Sequence, residues 1–181
     1  MRRISQTLLL TTAITIFAAC NDNAKHAGEH EATVSTGKDA AAQEAAPVKL
    51  KDDKLNAVYQ HYVHLTTALT NGDAAEAKLA ASAIEVGAKE VNGGSRIASS
   101  ASEIVSAKDI DAQRTIYSTL SNEMITLVKQ SGLASGEVYI DHCPMAMNDK
   151  GADWISNTKE IRNPYFGDKM MNCGEIKETV K

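Results

Sequence analysis

The residues best suited to chemistry lie in two short clusters in the last quarter of the chain, His142-Cys143-Pro144-Met145-Ala146-Met147 and Met170-Met171-Asn172-Cys173-Gly174. Each joins a thiol to thioethers. Soft sulfur ligands select Cu(I) over hard cations, and two thiolates with one or two methionines suit that ion. Met145 stands two residues beyond Cys143, so an extended chain would turn both side chains to one side. Met170 and Cys173 are three apart, which predicts that they share a turn of helix. If the clusters meet, Cys143, Met145, Met170 and Cys173 form a four-sulfur pocket with His142 at its edge. Pro144 stiffens the first cluster, and Gly174 lets the chain leave the second. Of the adjacent Met170 and Met171, the first is expected to face the pocket. Met147 is read as a packing residue, a common use of methionine in irregular cores.

A disulfide is the rival reading of the same cysteines. In an oxidising compartment Cys143 and Cys173 would pair, and closing that loop would stabilise the domain by about 3 to 4 kcal/mol. Both readings stand at this point. Catalysis finds little support: the sequence has no Ser-His-Asp candidate set, no phosphate-cradling glycine loop and no HExxH. His142 and Cys143 are adjacent, so their side chains normally point apart, and the CxxC spacing of redox proteins is missing. The expectation is therefore a protein that is not an enzyme.

The N-terminus indicates where such a site would work. Residues 1–19, MRRISQTLLLTTAITIFAA, have two arginines, an apolar run too short for the roughly 20 residues of a membrane span, and two small residues before Cys20. This is the layout of a cleaved secretory signal. Phe17-Ala18-Ala19-Cys20 resembles the lipobox of bacterial lipoproteins, which implies lipidation at Cys20 and attachment to the membrane through that lipid. Asn21 is not the aspartate of inner-membrane retention, which favours the outer membrane, on the periplasmic side of the cell envelope. Loss of Arg2 and Arg3 would move the formal net charge from −4 to −6. So acidic a chain gives no reason to expect nucleic acid as a partner. With Cys20 assigned to the anchor, the three cysteines of the chain reduce to the pair Cys143 and Cys173.

The elements that must position this pair can be read from periodicity. Residues 20–48 carry no aromatic side chain and almost no large aliphatic one, so they read as a flexible tether. His26 and His30 within it are read as solvated. The remainder, 49–181, reads as one domain. Leu55, Val58, Tyr59, Tyr62, Thr66 and Leu69 mark one stripe of a helix that ends at Asn71-Gly72. Asp73 with Glu76 predicts a capping box, and Ala77, Ala80, Ala81, Ile84, Ala88 and Val91 continue a small-residue stripe to Asn92-Gly93-Gly94. Ile97, Ala101, Ile104 and Val105 mark a third helix. A fourth starts near Asp109 and uses Ile116, Tyr117, Leu120, Met124, Leu127 and Val128 before Gly132. His61 and His64 fall off the first helix's stripe and are read as surface residues. The predicted fold is mainly α: an up-and-down four-helix bundle, followed at 137–181 by a loop-rich segment with a short strand and a turn of helix packed on the bundle. Trp154, Tyr165 and Phe166 are its expected core, and Asn163-Pro164-Tyr165-Phe166-Gly167 a turn.

From about Leu50 to the end, the sequence resembles an uncharacterised domain family of Gram-negative lipoproteins and heavy-metal efflux adaptor C-termini. The resemblance rests on three elements, CPMA, GAxWLS and EIxNPYFGxxMxxCG. They are matched by Cys143 to Ala146, by Gly151 to Ser156 with Ile155 for leucine, and by Glu160 to Gly174. It implies a helical domain associated with Cu(I) or related metal handling in the periplasm, and an efflux adaptor or other envelope protein as partner.

Overall fold

The computed structural model describes residues 47–181. The expected signal peptide, Cys20, Asn21 and the tether up to Ala46 lie outside the described residues. Helix α1 runs Asp53–Asn71. It starts where the Asp52 carboxylate accepts the Leu55 N–H at 2.8 Å, and it stops at Gly72, whose φ of 74° lets its N–H turn back onto Leu69 and Ala68 carbonyls. Helix α2 runs Ala74–Ala88, and Asp73 caps its Ala75 and Glu76 amides. Only half of the expected box forms, because the Glu76 carboxylate reaches across to His64 Nε2 on α1 at 2.8 Å. His61 and His64 are both exposed. The small-residue stripe has a steric use: a Cβ on Gly87 would lie 2.9 Å from Val58 Cγ2, so α2 lies close on α1 there. The helix ends at Ala88, ahead of the expected Asn92 stop, and Val91 buries itself in the turn that follows.

Helices α3, Ser95–Ser106, and α4, Ile110–Ser131, complete the helical part. Asp109 caps α4 by accepting the Ala112 N–H at 2.8 Å. Consecutive helices pack on one another, and α1 also touches α4. The buried strip of α4 departs from the expected one. Ile116 and Leu127 are half-buried flanks, whereas the polar Gln113, Arg114 and Ser121 are buried beside Tyr117, Leu120, Met124 and Val128. Each finds a partner on a neighbouring element, which the apolar pattern of one helix does not reveal, although the buried Gln113 Oε1 has none. No helix among the described residues is long and apolar enough to cross a membrane.

The C-terminal segment holds more strand than expected. Strand β1, Lys49–Leu50, pairs antiparallel with β2, Leu133–Ser135, and so clasps the chain entering α1 to the chain leaving α4. Strands β3, Val138–Cys143, β4, Ala152–Ser156, and β5, Glu175–Val180, form an antiparallel sheet in the order β4-β3-β5. β5 is exposed up to its last residue, Val180, so no apolar pattern marks it. Its pairing with β3 comes from main-chain hydrogen bonds, which any side chain permits. β4 packs on α4. A run of rings, Tyr59, Tyr62, Tyr117, Tyr165 and Trp154, links the helices to the sheet, with successive centroids 6.1, 5.7, 5.5 and 5.9 Å apart. Trp154 and Tyr165 are buried as expected, while Phe166 is only half-buried.

Candidate metal centre

Cys143 closes β3, and the chain returns to it through the turn Asn163–Gly167, a 3-10 turn at Gly167–Lys169, and the bend that ends at Cys173. The two Sγ atoms are 3.1 Å apart. Both thiols are free; Cys143 is fully buried and Cys173 half-buried. Contact with Cys143, helped by burial, pushes the Cys173 thiol up to about 11. A hydrogen bond to the protonated thiol and the prospect of a second negative charge both disfavour the thiolate until a cation offsets them.

Asn163, expected only as part of a turn, holds Cys173 in position. Its side-chain N–H donates to the Cys173 carbonyl at 2.8 Å and its backbone N–H to the Met171 carbonyl at 2.8 Å. Its Oδ1 accepts from the Tyr165 and Phe166 amides. The residue is fully buried, so one amide fixes both the turn and the thiol-bearing strand end. Its place at the head of Asn163-Pro164 was the available signal, since Asn hydrogen-bonds its own turn.

His142 does not share the face of Cys143. Strand alternation sends it to the other side of β3, where Nδ1 lies 2.5 Å from Asp153 Oδ1 on β4. Lys177, the residue that the β3–β5 ladder skips between Ile140 and Asp141, brings its ammonium within 3.4 Å of the same carboxylate. The imidazole lies over Gly151, where a Cβ would come within 2.5 Å of Cε1.

The methionines gather elsewhere. The chain turns at the end of β3, so Met145 is not on an extended strand with Cys143, and it is 47% exposed. It lines a groove with Met147, Met170, Tyr165 and Phe166, and neither cysteine lines that groove. Met170 follows the 3-10 turn with φ −152°, so it and Cys173 do not share a helix turn. A bend does connect them, with the Cys173 N–H donating to the Met170 carbonyl at 3.1 Å. Met171 lines a different depression, beside Gly72 and Asp168. The sulfur of the segment is thus divided between a thiol pair and a thioether groove.

Asp141 is the one acidic residue of β3. It lies on the Cys143 side of β3, fully buried, with neither carboxylate oxygen partnered. Burial pushes its pKa up to about 7. An acidic residue between the apolar Val138–Ile140 and Cys143 was the only signal in the sequence.

Among the described residues no group of three or more His, Cys, Asp or Glu is placed to hold a metal, which is the pattern that Zn(II) and hard cations use. The two thiols are the soft donors that the fold brings together.

Residues 58–136 match the model of a family described as a protein of unknown function (DUF3347). The match supports an uncharacterised domain family for the stretch from Val58, within α1, to Gly136, and the CPMA, GAxWLS and NPYFG elements lie beyond it. No curated protein and no solved structure matches the chain.

Proposed function

We propose that the chain is a lipid-anchored protein of the cell envelope, held at Cys20 on the periplasmic side of the outer membrane, that binds Cu(I) through Cys143 and Cys173. It buffers the ion or delivers it to an efflux system, and it is not an enzyme. Its four helices are read as an up-and-down bundle that carries the thiol-bearing sheet. The observation that supports this reading is the 3.1 Å separation of two free thiols. When bound, Cu(I) would supply the charge that lets both thiols ionise; Asn163 and β3 would hold the two sulfurs in place. Competitive Cu(I) titration of the reduced protein tests it. Binding should weaken at least a hundredfold in the Cys143→Ser, Cys173→Ser double variant, and equal affinity in the two proteins would overturn the reading.

The same short distance favours a second reading, in which the thiols form a disulfide and the chain is a non-catalytic envelope interaction module stapled by it. Intact mass after rapid alkylation of cells, with and without copper stress, separates the two. A pair that stays oxidised under copper stress, with no copper recovered, supports the staple.

A further inference from the structure

We propose that Met145, Met147 and Met170 form a second soft-cation site, a thioether groove that takes up Cu(I) or Ag(I) independently of the Cys143 and Cys173 thiols. The inference rests on the reading above for the identity of the ion, and on different residues for its ligands. Of the five methionines among the described residues, Met124 is buried in the helical core and Met171 lines another depression, but these three converge on one groove from two segments. They are not ordinary core fillers. Met145 is 47% exposed, and Met147 and Met170 are half-buried.

The backbone that displays them is strained at one particular residue. Met147, Asn148 and Asp149 are consecutive left-handed residues, with φ of 55°, 57° and 63°. Asn and Asp adopt that region readily through local hydrogen bonds, whereas a long apolar side chain meets a steric penalty there. The strain therefore concentrates at Met147, and the turn that carries it brings Met147 onto the same groove as Met145. Strain of this kind gathers at ligand clamps.

The chemistry follows from the donors. Thioethers are neutral and soft, so they select Cu(I) and Ag(I) and leave hard cations in water. The same lining holds two carboxylates, Asp111 and Asp149, and two cations, Arg114 and Lys150, so those charged groups balance and leave the thioethers as its soft donors. Thioethers also keep their donor capacity when two thiols oxidise to a disulfide. The groove would thus bind the ion in an oxidising compartment whatever the state of the cysteines.

The test uses the full mature chain labelled with 13C-methyl methionine and titrated with Ag(I), a redox-inert probe, in the wild-type protein, in the Cys143→Ser, Cys173→Ser variant, and in that variant with Met145→Leu, Met147→Leu and Met170→Leu added. Circular dichroism verifies that each is folded. In the thiol-free variant the methyl signals of Met145, Met147 and Met170 should move together and saturate at one equivalent, with Met124 and Met171 unmoved. Affinity should fall at least tenfold when the three leucines are added. Signals that stay still, or that drift without saturation along with Met171, overturn the proposal; a groove that instead docks an apolar peptide gives the first of these outcomes. If the reduced wild-type protein binds no more Ag(I) than a thiol-free variant that still saturates at one equivalent, the thiol reading fails and the groove stands. If only the wild-type protein binds, the groove fails and the thiol reading stands.

Discussion

The hydroxyl of Tyr62 accepts the backbone N–H of Ile155 at 2.9 Å, joining α1 to the open edge of β4. On the same edge the Tyr165 hydroxyl donates to the Asp153 carbonyl at 2.6 Å. An edge strand offers unpaired main-chain groups to any other strand, and here two phenols occupy them. Tyr62 is held in turn by the Tyr117 and Ser121 hydroxyls, each at 2.8 Å. Burial pushes the phenols of Tyr62, Tyr117 and Tyr165 up from their ordinary range, so they keep the protons these bonds need. The sheet that carries Cys143 is thereby fixed to the helices by polar contacts inside an aromatic core.

Tyr62→Phe should therefore destabilise the domain by about 1 to 3 kcal/mol, the penalty for leaving a buried N–H without an acceptor. Urea unfolding of the two proteins measures it. An unchanged midpoint would mean that the edge amide finds water or another partner.

Arg114 ties three elements at one point. Its guanidinium donates to the Leu69 carbonyl at the end of α1 (2.9 Å) and to the Pro164 carbonyl in the Asn163–Gly167 turn (3.0 Å), and pairs with Asp111 at 3.3 Å. Arg114→Met should cost about 3 kcal/mol. Arg114→Lys should not restore it, because one ammonium cannot reproduce the planar fork. Loosening the turn should also speed reaction of Cys173 with a thiol reagent, measured as the rate of colour release in the folded protein.

Asp141 makes stability depend on pH. Its pKa is about 7 in the folded chain and about 3.9 in an unfolded one. Below about pH 4 both states hold the proton, and the residue has no effect. As pH rises toward 7 the unfolded chain releases the proton and the native one retains it, so stability falls through that window and levels off above it. Screening by solvent reduces the total loss to on the order of 2 kcal/mol. Asp141→Asn has no charge to lose, so its advantage over the wild-type protein should grow from pH 4 to 7. Urea midpoints of both proteins at pH 4, 6 and 8 would reveal it, and parallel profiles would refute it.

Oxidation of Cys143 and Cys173, which are 30 residues apart, should raise stability by about 3 to 4 kcal/mol through the lost freedom of the unfolded chain. Thermal or urea unfolding with and without reductant measures this. The Cys173→Ser protein should show no difference between the two conditions.

Much of the helical part was legible because its signals are local. Asp73 and Asp109 cap helices, Gly72 and Gly132 end them, and the spacing of Leu55, Val58, Tyr59, Tyr62 and Leu69 marks a buried face. Each involves partners within a few residues, so neighbouring letters suffice. The buried Gln113, Arg114 and Ser121 were not legible. Their partners are the Ala74, Leu69 and Pro164 carbonyls and the Tyr62 hydroxyl, which are distant in sequence.

The same division holds at the sulfur site. Residue type alone determined that soft chemistry was concentrated in the two clusters, since thiols and thioethers keep their character in any fold. Tertiary structure decided that Cys143 meets Cys173, that His142 turns away to Asp153, and that Met145, Met147 and Met170 line a groove of their own. Those outcomes depend on where β3 ends, on a left-handed turn at Met147 and on the anchoring of Cys173 by Asn163. Each depends on packing and hydrogen bonds between distant segments, which spacing along the chain does not encode.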